Sequence, residues 1–245
     1  MIRRLLGGKN IKTIFFDTET TGLNSKSCRI IELAMLIDED GKEREYDKFI
    51  RINEPLPHNI IEITGITDNM LKEKGVDEEI VARDLIEELK TTNLMIAHNT
   101  QFDLLFIYEL LKKYYPDEVD DILENIDWLD TLTILRDRKN YPHKLVDCIE
   151  YYGLEKVNFH KALDDTKALN KLYGVLKNER DDVDEYINIF GYNPKYGVNG
   201  ERFSFIEYKS QPYHNRGKLD DDEILPFKWV IWVKLIKKWL KQYKV

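Results

Sequence analysis

Five residues that can hold a cation or move a proton lie in three separated segments: Asp17 and Glu19 in FFDTETTGL, Asp103 in HNTQFD, and His160 with Asp165 in HKALDD. Carboxylates at i and i+2 at the end of a strand point to the same face. Packed that closely they repel, which raises the pKa of one of them unless a cation sits between them. Such hard oxygen ligands suit Mg²⁺ or Mn²⁺, ions that bind through a few carboxylates together with substrate phosphate. A histidine just ahead of a helix can take a proton from water while a carboxylate on that helix helps to hold metal. Brought to one point, four carboxylates and one histidine make a two-metal site for phosphodiester hydrolysis. Asp103 alone is weak evidence, because an acid in the first turn of a helix also complements the helix dipole.

The segments between them must fold so that the three pieces meet. KTIFFD (12–17) is a short aromatic run of strand character, and RIIELAMLID (29–38) and REYDKFIRI (44–52), separated by DEDGK, extend it into an antiparallel meander. Between 77 and 90, Ile80, Val81, Leu85, Ile86 and Leu89 form one helical stripe. LMIAH (94–98) reads as a further buried strand. A helix follows it, with Asn99 or Thr100 at its N-cap and Phe102, Leu105, Phe106 and Leu110 inward. Helices are expected at 117–124, at 144–152 and at about 161–177, with WLDTLTIL as a short segment among them. A meander followed by helix, strand and helices predicts an α/β fold: a mixed sheet with helices on both faces, of the ribonuclease H-like kind.

Composition is consistent with a packed body. The chain has 245 residues, 42% hydrophobic and 11% aromatic, ample for a core. Cys28 and Cys148 have no metal-type spacing and are too few for a disulfide framework, so both are expected in the core of a protein from a reducing compartment. With no secretory signal and no long apolar run, a soluble cytoplasmic protein without a membrane span is expected. The net charge of −8 argues against a broad electrostatic clamp on nucleic acid. It does not exclude nucleic acid at an acidic site neutralised by bound cations.

Taken together, the three segments resemble the DEDDh group of DnaQ-like 3′→5′ exonucleases, and all five signature residues are present, with the HxAxxD form of the last motif. RIIELA, IIEITGITDNML, LMIAHNTQFD and WLDTLTILR followed by HKLVDCIEYYGL extend the match, most closely to the proofreading exonuclease domains of PolC-type polymerases and ε subunits. Lys161 stands where the related DEDDy group has tyrosine. The resemblance covers about 10–178 and implies a five-stranded sheet. It further implies that Asp17, Glu19 and Asp165 bind one of two Mg²⁺ or Mn²⁺ ions, that Asp17 bridges to the second, that Asp103 lies near the second, and that His160 is the general base. The implied substrate is the 3′ end of a single strand, DNA rather than RNA. Its terminal nucleotide would be contacted by Thr18 (through its backbone), Thr21, Leu23, Thr64 and Asn99, and nucleoside 5′-monophosphate would be released. Asp130 in LDTL is expected to be structural.

Residues 1–180 are accordingly read as the exonuclease domain and 181–245 as a C-terminal extension. Its last 18 residues hold six lysines and no acid, and Trp229, Trp232, Ile236, Trp239 and Leu240 follow helical spacing. That helix is expected either to dock on the body or to reach nucleic acid, a membrane surface, or a partner such as a DNA polymerase or other replication protein. Two rival functions stand beside the DNA exonuclease. One is a 3′→5′ exoribonuclease of the ribonuclease T or oligoribonuclease type, and the other an inactive nucleic-acid-binding module.

Overall fold

Lys12–Thr20 forms strand β1, whose two faces carry different chemistry. Ile14 and Phe16 point into one apolar layer and Phe15 into another, so the strand is covered on both sides. A computed structural model describes residues 11–155 and 161–189 of the chain. Ile30–Glu39 (β2) pairs antiparallel with β1, and Lys42–Phe49 (β3) pairs antiparallel with β2. Asp40 and Gly41 turn the chain between them with positive φ, 55° and 84°. Beyond β1 lie Leu94–Ala97 (β4) and Asp127–Asp130 (β5), each parallel to its neighbour. The order is β3-β2-β1-β4-β5, the mixed five-stranded sheet expected, with β1 in the middle.

Helices fill both faces. His58–Thr64 (α1), Asp68–Lys74 (α2) and Glu78–Leu89 (α3) follow the meander, and Thr100–Tyr114 (α4) and Val119–Glu124 (α5) flank the return to β5. Thr131–Arg138 (α6), Leu145–Tyr151 (α7) and Ala162–Glu179 (α8) complete the α-helices among the described residues. Ile14, Phe16, Leu33, Met35 and Ile37 pack against Val81, Leu85 and Ile86 of α3 and Leu104 and Ile107 of α4. On the opposite face Phe15, Leu36 and Ile96 meet Cys148 and Ile149 of α7 and Ala168, Leu169 and Leu172 of α8. Each fully buried Leu or Ile here contributes roughly 1.5–3 kcal/mol relative to exposure.

Several local expectations change in the folded chain. Ile80 is 37% exposed, because one residue along a helix turns the side chain by about 100°, away from the Val81 face. Cys28 is only half-buried, in the loop after β1, whereas Cys148 is buried. WLDTLTIL divides: β5 stops at Asp130, whose carboxylate accepts from the Leu132 amide at 3.0 Å and so caps α6. Past α8, Val183, Tyr186 and Ile189 are buried in the second layer, with the Tyr186 hydroxyl donating to Asp137 at 2.6 Å. Arg138, its side chain 2% exposed, pairs with Asp182 and with Glu179 at 3.0 Å, tying this segment to α6. His160 and the lysine- and tryptophan-rich segment near the C-terminus lie outside the described residues. No described helix is long and apolar enough to cross a membrane.

Candidate active site

The face of β1 that carries Phe15 also carries Asp17 and Glu19, which therefore look toward α8. β1 continues through Thr20, so both acids are held by ladder partners, Ala34 and Glu32, rather than by a flexible turn. Ala34 is fully buried, and its small side chain leaves room for α8 to pack across β1 and β2. Asp165 lies in the first turn of α8 and completes the group. Oxygen atoms of Asp17, Glu19 and Asp165 all lie within 4.8 Å of one another, and all three residues are half-buried.

Electrostatics mark this as an unfavourable place for bare carboxylates. Burial, then the nearby carboxylates of Asp103, Asp165, Glu19 and Glu32, push the Asp17 pKa well above the usual range. Burial and then Asp165 and Asp103 raise Glu19 to about 7. An all-oxygen donor set under mutual repulsion, reachable from solvent, fits a hard divalent cation.

Asp103 approaches from the other face of the sheet. Thr18, between the two acids, points toward α4, and its amide and hydroxyl both donate to Asp103 Oδ1, at 3.1 and 2.6 Å. Burial raises the Asp103 pKa to about 7 against these hydrogen bonds, which act to lower it. The start of α4 is set by Asn99, which takes a left-handed φ of 72°, caps without a side-chain bond, and donates its amide to Asp130 Oδ1 at 2.8 Å. Asp130 also accepts from Thr133 Oγ1 at 3.0 Å, which accords with the structural role expected of it. Beneath the same turn His98 spans Thr131 Oγ1 (3.0 Å) and the His143 carbonyl (2.8 Å), a bridge that sequence reading missed. Burial lowers its pKa to about 4, so the ring is neutral and Nε2 donates to the carbonyl.

The other expected substrate residues differ in what they leave available. Leu23 is 60% exposed in the loop after β1. Thr21 closes that loop, its amide donating to the Arg29 carbonyl at 2.9 Å and its hydroxyl accepting from the Arg29 amide at 3.0 Å. Thr64 is buried at the end of α1, its hydroxyl donating to Ile60 O at 2.9 Å and accepting from Ile66 N at 3.1 Å. The amide and hydroxyl of Thr18 are occupied by Asp103.

One further acid belongs to the site and was not singled out from RIIELA. Glu32, 4% exposed on β2, faces Glu19 across the ladder and accepts from the Ala162 amide at 3.4 Å. An acid inside an otherwise apolar strand was the signal that could have found it.

Comparison with known proteins agrees with the geometry. The exonuclease family model RNase_T matches residues 14–173. PolC-type DNA polymerase III of Bacillus subtilis is 32% identical over 206 residues, 82% of this chain and 13% of the polymerase. The Clostridium perfringens enzyme is 28% identical over 208 residues, with the same shares. The chain thus spans about an eighth of these relatives. Among solved structures, Escherichia coli exonuclease I in complex with a dT13 oligonucleotide superposes with a TM-score of 0.63 at 19% identity, over 72% of this chain and 43% of that one. Exonuclease I of Methylocaldum szegediense gives 0.60 at 17%, over 71% and 42%. The fold is theirs, and the chain belongs to the RNase_T exonuclease family.

Proposed function

We propose that the chain hydrolyses single-stranded DNA from its 3′ end, one nucleotide at a time, releasing nucleoside 5′-monophosphates. The observation that carries this reading is the convergence of Asp17, Glu19 and Asp165 within 4.8 Å, with Asp103 tied to Thr18 between the first two. Asp17, Glu19 and Asp165 would hold one Mg²⁺ or Mn²⁺ ion, and Asp17 and Asp103 would serve a second. Bound there, such ions neutralise the carboxylates, activate water and stabilise charge on the phosphodiester oxygens. His160, five residues ahead of Asp165, would take the proton from the attacking water. Leu23 would pack on the terminal base, with Thr18, Thr21, Thr64 and Asn99 around the terminal nucleotide.

The choice of DNA is supported by the PolC-type relatives and by the oligonucleotide held by exonuclease I. The same similarity supports a proofreading role, with residues 181–245 as the segment that reaches a polymerase or other replication protein. Incubation of 5′-labelled single-stranded DNA and RNA of matched sequence with Mg²⁺ or Mn²⁺ tests the reading. A ladder shortening from the 3′ end of DNA, lost with EDTA and in Asp17→Asn, is expected. A strong preference for RNA, or cutting that survives Asp17→Asn, would overturn it.

A further inference from the structure

Helix α8 delivers Asp165 but lacks a cap of its own: Lys161, at its N-cap, makes no side-chain bond to the first turn. The amide of Ala162, the first helical residue, is buried and turns instead to Glu32 Oε2, 3.4 Å away and 130 residues distant in sequence. Buried first-turn amides need an acceptor, and here a strand supplies it. Glu32 stands directly opposite Glu19 in the β1–β2 ladder, where side chains share a face. Two residues along β2, Ala34 pairs with Asp17 on one side and with Asp47 of β3 on the other, so Glu32 sits on a strand held from both edges.

We propose that Glu32 is a positioning residue that clamps the N-terminus of α8 to the sheet and thereby sets Asp165 against Asp17 and Glu19. The clamp rests on the assignment of those three carboxylates as the cation site. Its geometry is economical: from Ala162 to Asp165 is less than one helical turn, so an amide held at Glu32 fixes the height and rotation of the helix where its ligand emerges. Asp165 N donates to Lys161 O at 3.0 Å, which makes that turn a closed unit. What matters in this arrangement is the reach of the Glu32 acceptor. Its charge is not required.

Two conservative variants of the full chain separate reach from charge. Glu32→Gln keeps the length and an acceptor for Ala162. Glu32→Asp keeps the charge but withdraws the oxygen by one methylene. The readout is Mn²⁺ binding to metal-free protein, followed by electron paramagnetic resonance, with kcat and KM on a DNA oligonucleotide alongside. We expect Glu32→Gln to bind Mn²⁺ within about threefold of the parent. Glu32→Asp is expected to bind about tenfold more weakly, with a matching fall in kcat, little change in KM and native circular dichroism. Glu32→Asp binding like the parent, or Glu32→Gln falling as far as Glu32→Asp, would overturn the clamp. Because the readout is ion binding, protein that binds Mn²⁺ in an Asp17-dependent way without cutting DNA counts against the proposed function and leaves the clamp standing.

Discussion

Thr18 holds Asp103 by two bonds to a single oxygen: the amide and the hydroxyl both donate to Oδ1, at 3.1 and 2.6 Å. The residue between Asp17 and Glu19 thus joins the strand carrying those acids to the helix carrying another, through the sheet rather than around it. Thr18→Val keeps the branched shape and removes the shorter bond. A charge-assisted bond to a buried group is worth about 1.5–3 kcal/mol. We expect a thermal destabilisation of that order and a fall of about tenfold in kcat. Thr18→Ser should restore both, as read by thermal unfolding and steady-state kinetics.

The carboxylate cluster works against the fold until a cation arrives. Replacing Asp17 by Asn should abolish DNA hydrolysis, a loss of at least about 10²–10³-fold. The same change should raise the unfolding temperature measured in EDTA, because it removes a half-buried charge set beside Asp103, Asp165, Glu19 and Glu32. An unfolding temperature that drops in EDTA would show that Asp17 is stabilised by something other than a cation.

The same repulsion has a pH signature. Glu19 is raised to about 7 and Asp103 to about 7, above their ordinary values of 4.5 and 3.8, so the metal-free folded chain binds more protons than the unfolded one in this window. Their effect on stability is therefore favourable at low pH and lost as pH rises from about 4 through about 7. The stabilisation by added Mn²⁺ should be small at pH 5 and large at pH 8, as measured by differential scanning calorimetry.

His98 acts in the opposite direction. Its folded pKa of about 4 lies below the ordinary 6.5, so the unfolded chain binds the extra proton and stability is lost as pH falls from 6.5 toward 4. His98→Asn should be less stable at pH 7.5, having lost the bridge between Thr131 and the His143 carbonyl, yet lose less on acidification to pH 5. Equal pH slopes in the two proteins would refute this account of His98.

A chain ending at residue 180 should be several kcal/mol less stable than one ending at 189. It loses the burial of Val183, Tyr186 and Ile189 and leaves Arg138, with its nearly inaccessible side chain, without Asp182. Urea unfolding of the two chains measures the difference.

Local pattern made the main frame legible in the sequence. Strand alternation around Phe15 and Phe16, the DEDGK turn, and the helical stripes of α3, α4 and α8 depend on nearest neighbours along the chain, and the three acid-bearing segments fell on elements of the expected kind. What escaped depends on contacts between distant segments. Within WLDTLTIL the Leu132 amide marks Asp130 as a helix cap, a local signal, but the second bond that fixes the same oxygen comes from the distant Asn99 amide. Ile80 fits the α3 stripe on paper, but the sheet covers only the arc centred on Val81 and Leu85. Glu32 looks like an isolated acid until β1 on one side and α8 on the other supply Glu19 and Ala162.

The strand order β3-β2-β1-β4-β5 has a consequence for how the acidic trio is assembled. Asp17 and Glu19 sit in a meander whose strands follow one another by Phe49, yet the carboxylate that completes their trio is 146 residues behind Glu19. Without α8 the sheet carries Asp17 and Glu19 but not the third carboxylate of the trio, so the proposed cation site is assembled by the docking of α8 and not by the sheet alone.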